Sequence, residues 1–125
     1  MGTVQMTEMN FEGLVTSNDV VLIDFWAAWC GPCRAFAPVF DKTSDAYSDI
    51  VFAKVDTEAE QNLAATFNIM SIPTLMIIRE NVVVFSQAGA LSEPALVNLV
   101  EKVLGLDMSE VHRQVLECMR ERQKR

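Results

Sequence analysis

Short apolar runs alternate with amphipathic stretches along the first 105 residues of the chain. The apolar runs are bounded by polar or turn-forming residues, and they predict β-strands at 4–6, 20–25, 51–55, 74–78 and 82–85. The amphipathic stretches have helical spacing, and they predict α-helices at 10–17, 31–47, 61–67 and 92–104. Helices that alternate with strands and then give way to a hairpin predict an α/β fold, in which helices cover both faces of a mixed central sheet.

Individual residues mark where these elements begin, bend and end. Asn10 and Ser92 are suited to cap the first and the last of these helices. Pro38 lies inside the second helix and predicts a kink, because proline removes a hydrogen bond and crowds the preceding turn. Asn81 suits a positive φ in the hairpin turn, and Gly105 is expected to end the last helix.

An extra C-terminal helix is predicted beyond Gly105. Residues 107–110 have the pattern of a capping box, with Leu106 and Val111 placed as its hydrophobic staple. The apolar side chains of this helix share one stripe: Met108, Val111, Val115 and Cys118. The stripe most simply packs on the chain's own body, and the alternative is that it docks a partner or a second copy. The chain is therefore divided into a domain at 1–105 and a helical extension at 106–125.

Two residues of the extension are considered separately because their side chains are reactive. Cys118 is expected to be a buried and unreactive small apolar residue. The alternative for Cys118 is a regulatory or intermolecular disulfide, which requires exposure. His112 is the single histidine of the chain, and we expect it to be an exposed helix residue.

Charge and cysteine usage exclude several classes of protein. Residues 1–105 carry 13 acidic and 5 basic side chains, which gives no footprint for nucleic acid or an anionic membrane. The bases at 120–125 are expected to form a solvated helix end. Three cysteines are too few for a secreted disulfide framework, and neither a signal peptide nor a membrane-spanning run is evident. These features favour a cytoplasmic protein.

The chemistry is concentrated where the second strand turns into the second helix. Cys30 and Cys33 are separated there by Gly31 and Pro32. The first cysteine lies where unpaired helix N–H groups and the positive end of the helix dipole stabilise a thiolate. The pair is a redox motif, half of a metal site or two unrelated thiols. Zinc normally needs four ligands, and the chain has neither a second cysteine pair nor a nearby histidine, so no metal site is expected.

Asp24 is a lone carboxylate inside an apolar strand. Burying it in the charged form costs several kcal/mol, so its pKa is expected to rise. The alternative is a strand-end aspartate that reaches solvent or a backbone donor.

Several motifs together resemble the thioredoxin family. The segment Trp29-Cys30-Gly31-Pro32-Cys33, preceded by Asp24-Phe25-Trp26, resembles the family's active-site signature. The similarity continues through Lys54, Ile72-Pro73-Thr74 and Gly89-Ala90-Leu91, and it covers about residues 3–105. The resemblance implies a thioredoxin fold and a protein thiol–disulfide oxidoreductase that needs no cofactor beyond its own cysteine pair.

The resemblance also implies catalytic roles. Cys30 is the exposed attacking thiolate, and Cys33, one turn further in and more buried, resolves the mixed disulfide. Asp24 assists proton transfer to and from Cys33. Lys54 matches the lysine that pairs with this aspartate, although it is equally suited to a surface position with its stem along the protein.

A docking surface for substrate is implied as well. Its residues are Trp29, Gly31, Pro32, Ile72, Pro73, Gly89 and Ala90. Pro73 is expected to be cis, and the backbone of Ile72 to pair with an extended client segment. The partners implied are proteins that contain disulfides and a thioredoxin reductase, either NADPH-dependent or ferredoxin-dependent. Met70 and Ser71 depart from the family pattern, and Met70 borders the groove.

Two other functions compete with disulfide reduction. In one, the fold is a binding platform whose redox chemistry is incidental, but a platform does not need Asp24, Lys54, Pro73 and the cysteine pair together. In the other, the protein is a thiol oxidant or isomerase. Gly31 and Pro32 resemble the reducing members of the family, so reduction of client disulfides is favoured.

Overall fold

The computed structural model describes residues 2–124, which form five strands and five helices. The strands are β1 (Thr3–Gln5), β2 (Val20–Trp26), β3 (Val51–Asp56), β4 (Thr74–Arg79) and β5 (Val82–Ala88). The helices are α1 (Phe11–Thr16), α2 (Gly31–Ala46), α3 (Gln61–Thr66), α4 (Glu93–Leu104) and α5 (Met108–Gln123). Each element predicted from the pattern is present, with ends that differ by at most three residues.

The strands form one mixed sheet in the order β1-β3-β2-β4-β5, which confirms the predicted fold class. Strands β1, β3 and β2 are parallel, and β4 and β5 pair antiparallel on the other side of β2. Strand β2 lies at the centre and is buried except at Trp26, which is half-buried. This explains its nearly unbroken apolar run, because both of its faces are covered.

Alternate residues of β2 supply two cores, one on each face of the sheet. Val20 and Leu22 pack with Phe36 and Phe40 of α2 and with three residues of α4. Val21, Ile23 and Phe25 pack on the opposite face with residues of α1 and α3. The period of two along a strand produces this division, and it confirms the prediction of helices on both faces.

Some of the predicted end signals act differently from expectation. Asn10 precedes α1 but does not cap it, because its Oδ1 accepts a hydrogen bond from Thr7 N–H at 2.7 Å. Ser92 caps α4 as predicted and accepts from Ala95 N–H. Asn81 has the predicted positive φ of 66°. Helix α2 continues through Pro38, and a kink at that residue stays a prediction.

The predicted extra helix is α5, and its start is attached to the body. Asp107 caps it by accepting from the backbone N–H groups of Ser109 and Glu110. In a full capping box the Glu110 side chain would also accept from the backbone N–H of Asp107. That part of the prediction is wrong, because the Glu110 carboxylate pairs with Arg113 at 2.6 Å instead. Met108 is buried, so the first turn packs on the chain's own body as the favoured interpretation had it.

The later turns of α5 lie outside the protein core. All residues at 116–124 are exposed, so the expectation that Cys118 is buried is wrong. The predicted stripe ends at Cys118, which lines an open groove between α5 and β5 and is exposed to solvent. His112 is half-buried rather than fully exposed, and its Nε2 lies 2.8 Å from Oε1 of Glu80 in the hairpin turn. None of the helices at 2–124 has the length and apolar character needed to cross a bilayer.

Candidate active site

The cysteine pair lies at the start of α2, as the sequence predicts. Cys30 is the N-cap residue, with extended backbone at φ −88° and ψ 113°, and it is joined to Cys33 by a disulfide. The Sγ of Cys30 accepts a hydrogen bond from the backbone N–H of Cys33 at 3.2 Å. Pro32 fits the first turn because its fixed φ suits a helix and an N–H there has no helical partner. The first sulfur therefore occupies the position where helix N–H groups converge.

Cys30 is more buried than expected, and Cys33 is buried too. In this disulfide form Cys30 is 4% exposed and Cys33 is 2% exposed, so the expectation of an openly exposed Cys30 is wrong. The two residues pack with Ala27 and beside Ile72, whose carbonyl oxygen lies 3.7 Å from the Sγ of Cys30. Cys30 is still slightly more accessible than Cys33, as the position one turn nearer the helix end implies.

An open groove of about 440 Å³ lies beside the disulfide. Its lining is mostly apolar: Trp29, Thr57, Ala64, Ile69, Met70, Ser71 and Ile72. Trp29, which immediately precedes Cys30, lines one side of the groove. Its Nε1 donates a hydrogen bond to Oε1 of Glu58 at 2.6 Å. Trp29 is 68% exposed and Met70 is 85% exposed, so two large apolar side chains flank the groove in contact with solvent.

The predicted substrate-facing residues are brought together at the same edge. The Ile72–Pro73 peptide bond is cis, as the resemblance implied. The carbonyl oxygen of Pro73 accepts a hydrogen bond from Gly89 N–H at 2.8 Å, which places the 89–90 turn next to Pro73. Gly89 has a φ of +111°, a conformation that glycine adopts readily. Gly31, Pro32 and Ala90 are exposed.

Sequence reasoning missed part of this groove. Thr57, Ala64 and Ile69 belong to α3 and its flanking loops, which are distant in sequence from the cysteines. Glu58 was also missed, although it fixes the indole of Trp29. The acidic loop after β3 was visible in the sequence, but its proximity to Trp29 depends on the tertiary fold.

Asp24 is fully buried in the centre of β2. It is 0% exposed, and neither carboxylate oxygen has a hydrogen-bond partner among residues 2–124. Burial raises the pKa of Asp24 to about 7, the charge of Lys54 opposes this rise, and the charge of Asp41 adds to it. The alternative of a strand-end aspartate that reaches solvent is therefore wrong.

Lys54 faces Asp24 across the β2–β3 pair. The two residues are register partners on parallel neighbouring strands. Lys54 is half-buried, and its Nζ lies 5.5 Å from the centroid of the Trp26 ring, within the range of a cation–π contact. The lysine thus lowers the pKa of Asp24 through its charge and not through a close ion pair, since no salt bridge joins the two among the described residues.

Replacing Lys54 by methionine tests this electrostatic link. We expect the pKa of Asp24 to rise above about 7 in Lys54→Met, because the group that lowers it is removed. The measurement is a titration of the Asp24 side-chain carboxyl by carbon-13 NMR. Lys42→Met, which removes an exposed lysine paired with Glu93, is the matched control. An unchanged titration in Lys54→Met would show that Lys54 does not act on Asp24.

The fold and the site define a class of protein. A disulfide at a helix start, an apolar groove beside it and a buried carboxyl of raised pKa in the adjoining strand are the parts of a thiol–disulfide oxidoreductase. No group of three or more metal-ligating side chains converges among the described residues.

Comparison with known proteins gives the family. The thioredoxin family model matches residues 2–102. The chain is 56% identical over 115 residues to a putative thioredoxin 2 of Streptomyces coelicolor, covering 92% of this chain and 86% of that relative. It is 39% identical over 105 residues to a thioredoxin of Bacillus subtilis, covering 83% of this chain and all of the relative. The chain therefore belongs to the thioredoxin family.

Solved structures agree with this assignment. A mutant thioredoxin from Halobacterium salinarum superposes with a TM-score of 0.77 at 31% identity, covering 83% of this chain and 92% of that one. A thioredoxin from Plasmodium falciparum superposes with a TM-score of 0.73 at 34% identity, covering 78% and 96%. The predicted family, fold and oxidoreductase function are confirmed, and the redox centre is the Cys30–Cys33 pair. Its partners are disulfide-containing client proteins and a reductase that restores the dithiol.

Proposed function

We propose that this protein reduces client disulfides with Cys30 as the attacking thiol and Cys33 as the resolving thiol. The observation that carries the assignment is the position of Cys30 as N-cap of α2, with its Sγ accepting from Cys33 N–H at 3.2 Å. After reduction, the same N–H and the helix dipole stabilise negative charge on Cys30 and so favour its thiolate. Cys33 has no corresponding position, because it lies inside the first turn.

Each step of the exchange balances. The Cys30 thiolate attacks one sulfur of the client disulfide, the client S–S bond breaks, and the first client sulfur leaves as a thiolate. Cys33 then gives up its proton and attacks the Cys30 sulfur, so the mixed disulfide breaks and the second client thiolate leaves. Two electrons pass from the dithiol to the client, and the Cys30–Cys33 disulfide forms.

Asp24 is proposed to take the proton from Cys33. A general base works best when its pKa is near the working pH, and burial raises the pKa of Asp24 to about 7. The carboxyl also has free oxygens, since no described group hydrogen-bonds to it. Lys54 is proposed to act as a positioning residue that keeps this pKa from rising further.

The client is proposed to lie along the groove beside the disulfide. An extended client segment would pair with the backbone of Ile72, next to Pro73 and the sulfur of Cys30. The remaining contact residues in this proposal are Trp29, Gly31, Pro32, Gly89 and Ala90. An open and mostly apolar surface accepts many client sequences at modest affinity each, which suits a general reductant.

Trapping the mixed disulfide tests the two cysteine roles. In reduced Cys33→Ser, we expect Cys30 to attack an oxidised client such as insulin and to remain attached, because no thiol resolves the bond. In reduced Cys30→Ser, we expect no such adduct at the same time. Non-reducing electrophoresis with mass spectrometry of the linked peptides measures both. As a control, both proteins also carry Cys118→Ser, so that this third thiol cannot form the adduct. Equal trapping by Cys30→Ser would overturn the assignment.

We propose further that 1–105 is the catalytic domain and 106–125 an added helical extension. A cytoplasmic location and the absence of nucleic-acid or membrane partners are proposed from the acidic body, which has 13 acidic and 5 basic side chains at 1–105. The reductase is either NADPH-dependent or ferredoxin-dependent. A recycling assay that offers the oxidised protein to one reductase of each type distinguishes them.

A further inference from the structure

Large apolar side chains that are exposed to solvent gather mainly in two places. One is the active-site groove, where Trp29 and Met70 are exposed. The other surrounds α5, and we call it the α5 patch: Val83, Leu104, Leu106, Leu116 and Met119. The hairpin turn at one end of β4 lies beside α5, whereas Pro73 and the disulfide lie at the other end of β4. The α5 patch is therefore separate from the surface that disulfide exchange uses.

The α5 patch contains an unfilled groove. A groove of about 360 Å³ lies between β5 and α5, and a smaller one of about 160 Å³ adjoins it on the side of α4. Val84 and Leu106 line both, so the two form one continuous depression. Beyond it, the exposed turns at 116–124 carry three further apolar or weakly polar side chains, Leu116, Cys118 and Met119, and are polar from residue 120 onward. An exposed depression with such an apolar lining is typical of an interaction site.

Charge along α5 indicates which occupant fits. Residues 107–117 carry three acidic side chains and one basic one, whereas 118–124 carry three basic and one acidic. Arg113 is already bridged to Glu110 and Glu117. The bases at the far end are different, because no acidic side chain among residues 2–124 pairs with Arg120, Arg122 or Lys124.

This charge pattern is self-complementary in one orientation. Two α5 helices packed antiparallel place the basic end of each beside the acidic start of the other. Packed parallel, they place like charges together at both ends. A two-fold axis produces the antiparallel arrangement, and it brings the same patch of both copies into contact.

We propose that the α5 patch is a self-association surface, on which a second copy of this chain docks with its α5 antiparallel to the first. The apolar side chains of the patch supply the buried area, and the unpaired bases at the end of each helix pair with acids at the start of the other. The net charge of −7 on each copy opposes association, so the pairing depends on these local bases.

Cys118 provides a reporter for this arrangement without any mutation. It lines the groove and is exposed, and it is the free cysteine among residues 2–124 when Cys30 and Cys33 are joined. A register that sets Arg122 of one copy beside Glu110 of the other crosses the two helices near residue 116. Each Cys118 then lies about 3 Å along its helix from the crossing, so the two thiols come close together. A short bismaleimide added to the oxidised protein therefore links two Cys118 thiols of one dimer. Cys118→Ser gives the background of this reaction.

The test combines sedimentation equilibrium with this cross-linking, both on the oxidised full chain. We expect the weight-average mass to rise from 14.0 kDa towards twice that value between micromolar and millimolar concentration. Leu116→Glu combined with Met119→Glu is expected to keep the protein monomeric and to lower cross-linking at least about tenfold. Met9→Glu changes a methionine that is 96% exposed and lies outside the patch, so it should behave as wild type. Thermal melts verify that all variants fold.

A charge-reversal pair tests the orientation. Arg122→Glu and Glu110→Lys are each expected to weaken self-association, because each places like charges at both ends of the pair. Mixing the two variants should restore association. A wild-type protein that stays monomeric, or a dimer unaffected by Leu116→Glu with Met119→Glu, overturns the proposal. A dimer that is lost in Met70→Glu also overturns it, since association would then use the active-site groove. A mixture of Arg122→Glu and Glu110→Lys that fails to regain association overturns it as well.

Discussion

Replacing Cys30 by serine is expected to abolish turnover of protein disulfides. A serine hydroxyl is a much weaker nucleophile than a thiolate, and it cannot form the mixed disulfide through which electrons pass in the proposed mechanism. Insulin reduction driven by dithiothreitol measures the effect, and we expect Cys30→Ser to fall to the rate of dithiothreitol alone. The proposed first step is lost entirely, so no single substitution outside the cysteine pair is expected to have a larger effect.

Cys118→Ser is the matched control for that experiment. It makes the same chemical change at an exposed cysteine on α5. We expect nearly unchanged turnover, because that helix lies at the opposite end of β4 from the disulfide. Full activity in Cys30→Ser would contradict the mechanism, and loss of activity in Cys118→Ser would make α5 part of it.

Replacing Asp24 by asparagine is expected to remove most of the pH dependence of stability between pH about 4 and about 7. Folding raises the pKa of this carboxyl from 3.8 to about 7, so over that range the folded state holds a proton that the unfolded state has lost. The stability that this proton provides is full below pH about 4 and is lost as the pH rises through about 7. A shift of about three units corresponds to roughly 4 kcal/mol.

Asparagine has nearly the same shape as aspartate and cannot ionise. The free energy of unfolding of Asp24→Asn minus that of wild type should therefore rise by roughly 4 kcal/mol from acidic to mildly alkaline pH. Denaturant unfolding of the oxidised protein across a series of pH values measures this change. Asp49→Asn, at an exposed aspartate, is the control. If wild type and Asp24→Asn have the same pH profile, burial does not raise the pKa of Asp24.

The sequence predicted the features that depend on neighbouring residues. The cysteine at the start of α2 follows from proline and helical spacing within a few positions, and the burial of Asp24 follows from the apolar run around it. The mixed sheet follows from the order of the elements and the hairpin at the end. In each case a pattern within a short stretch of sequence is usually found with the same local structure.

Other features depend on contacts between distant parts of the chain. The contact of Glu58 with Trp29 spans 29 positions, and no periodicity predicts it. The exposure of Cys118 depends on how far the body extends under α5, which the apolar stripe of the helix does not encode. Asn10 satisfied the rule for a helix cap, but its side chain bonds Thr7 instead, because asparagine can satisfy nearby backbone groups in more than one way.

The burial of Cys30 could not be predicted from the sequence pattern either. Its small exposed fraction depends on the approach of Ile72, which is 42 positions away and follows α3. A helix start indicates where the sulfur lies along the chain but not which other segment covers it.

Strand β4 separates two surfaces that belong to different tasks. Its first residue, Thr74, adjoins the cis bond beside the disulfide, and its last, Arg79, donates to the backbone carbonyl oxygens of Val103, Leu104 and Leu106 at the junction of α4 and α5. Substitutions on the outer face of α5 are thus expected to leave the thiol chemistry unaltered. The separation means that a change in what this chain associates with through α5 does not require any change in the residues around the disulfide.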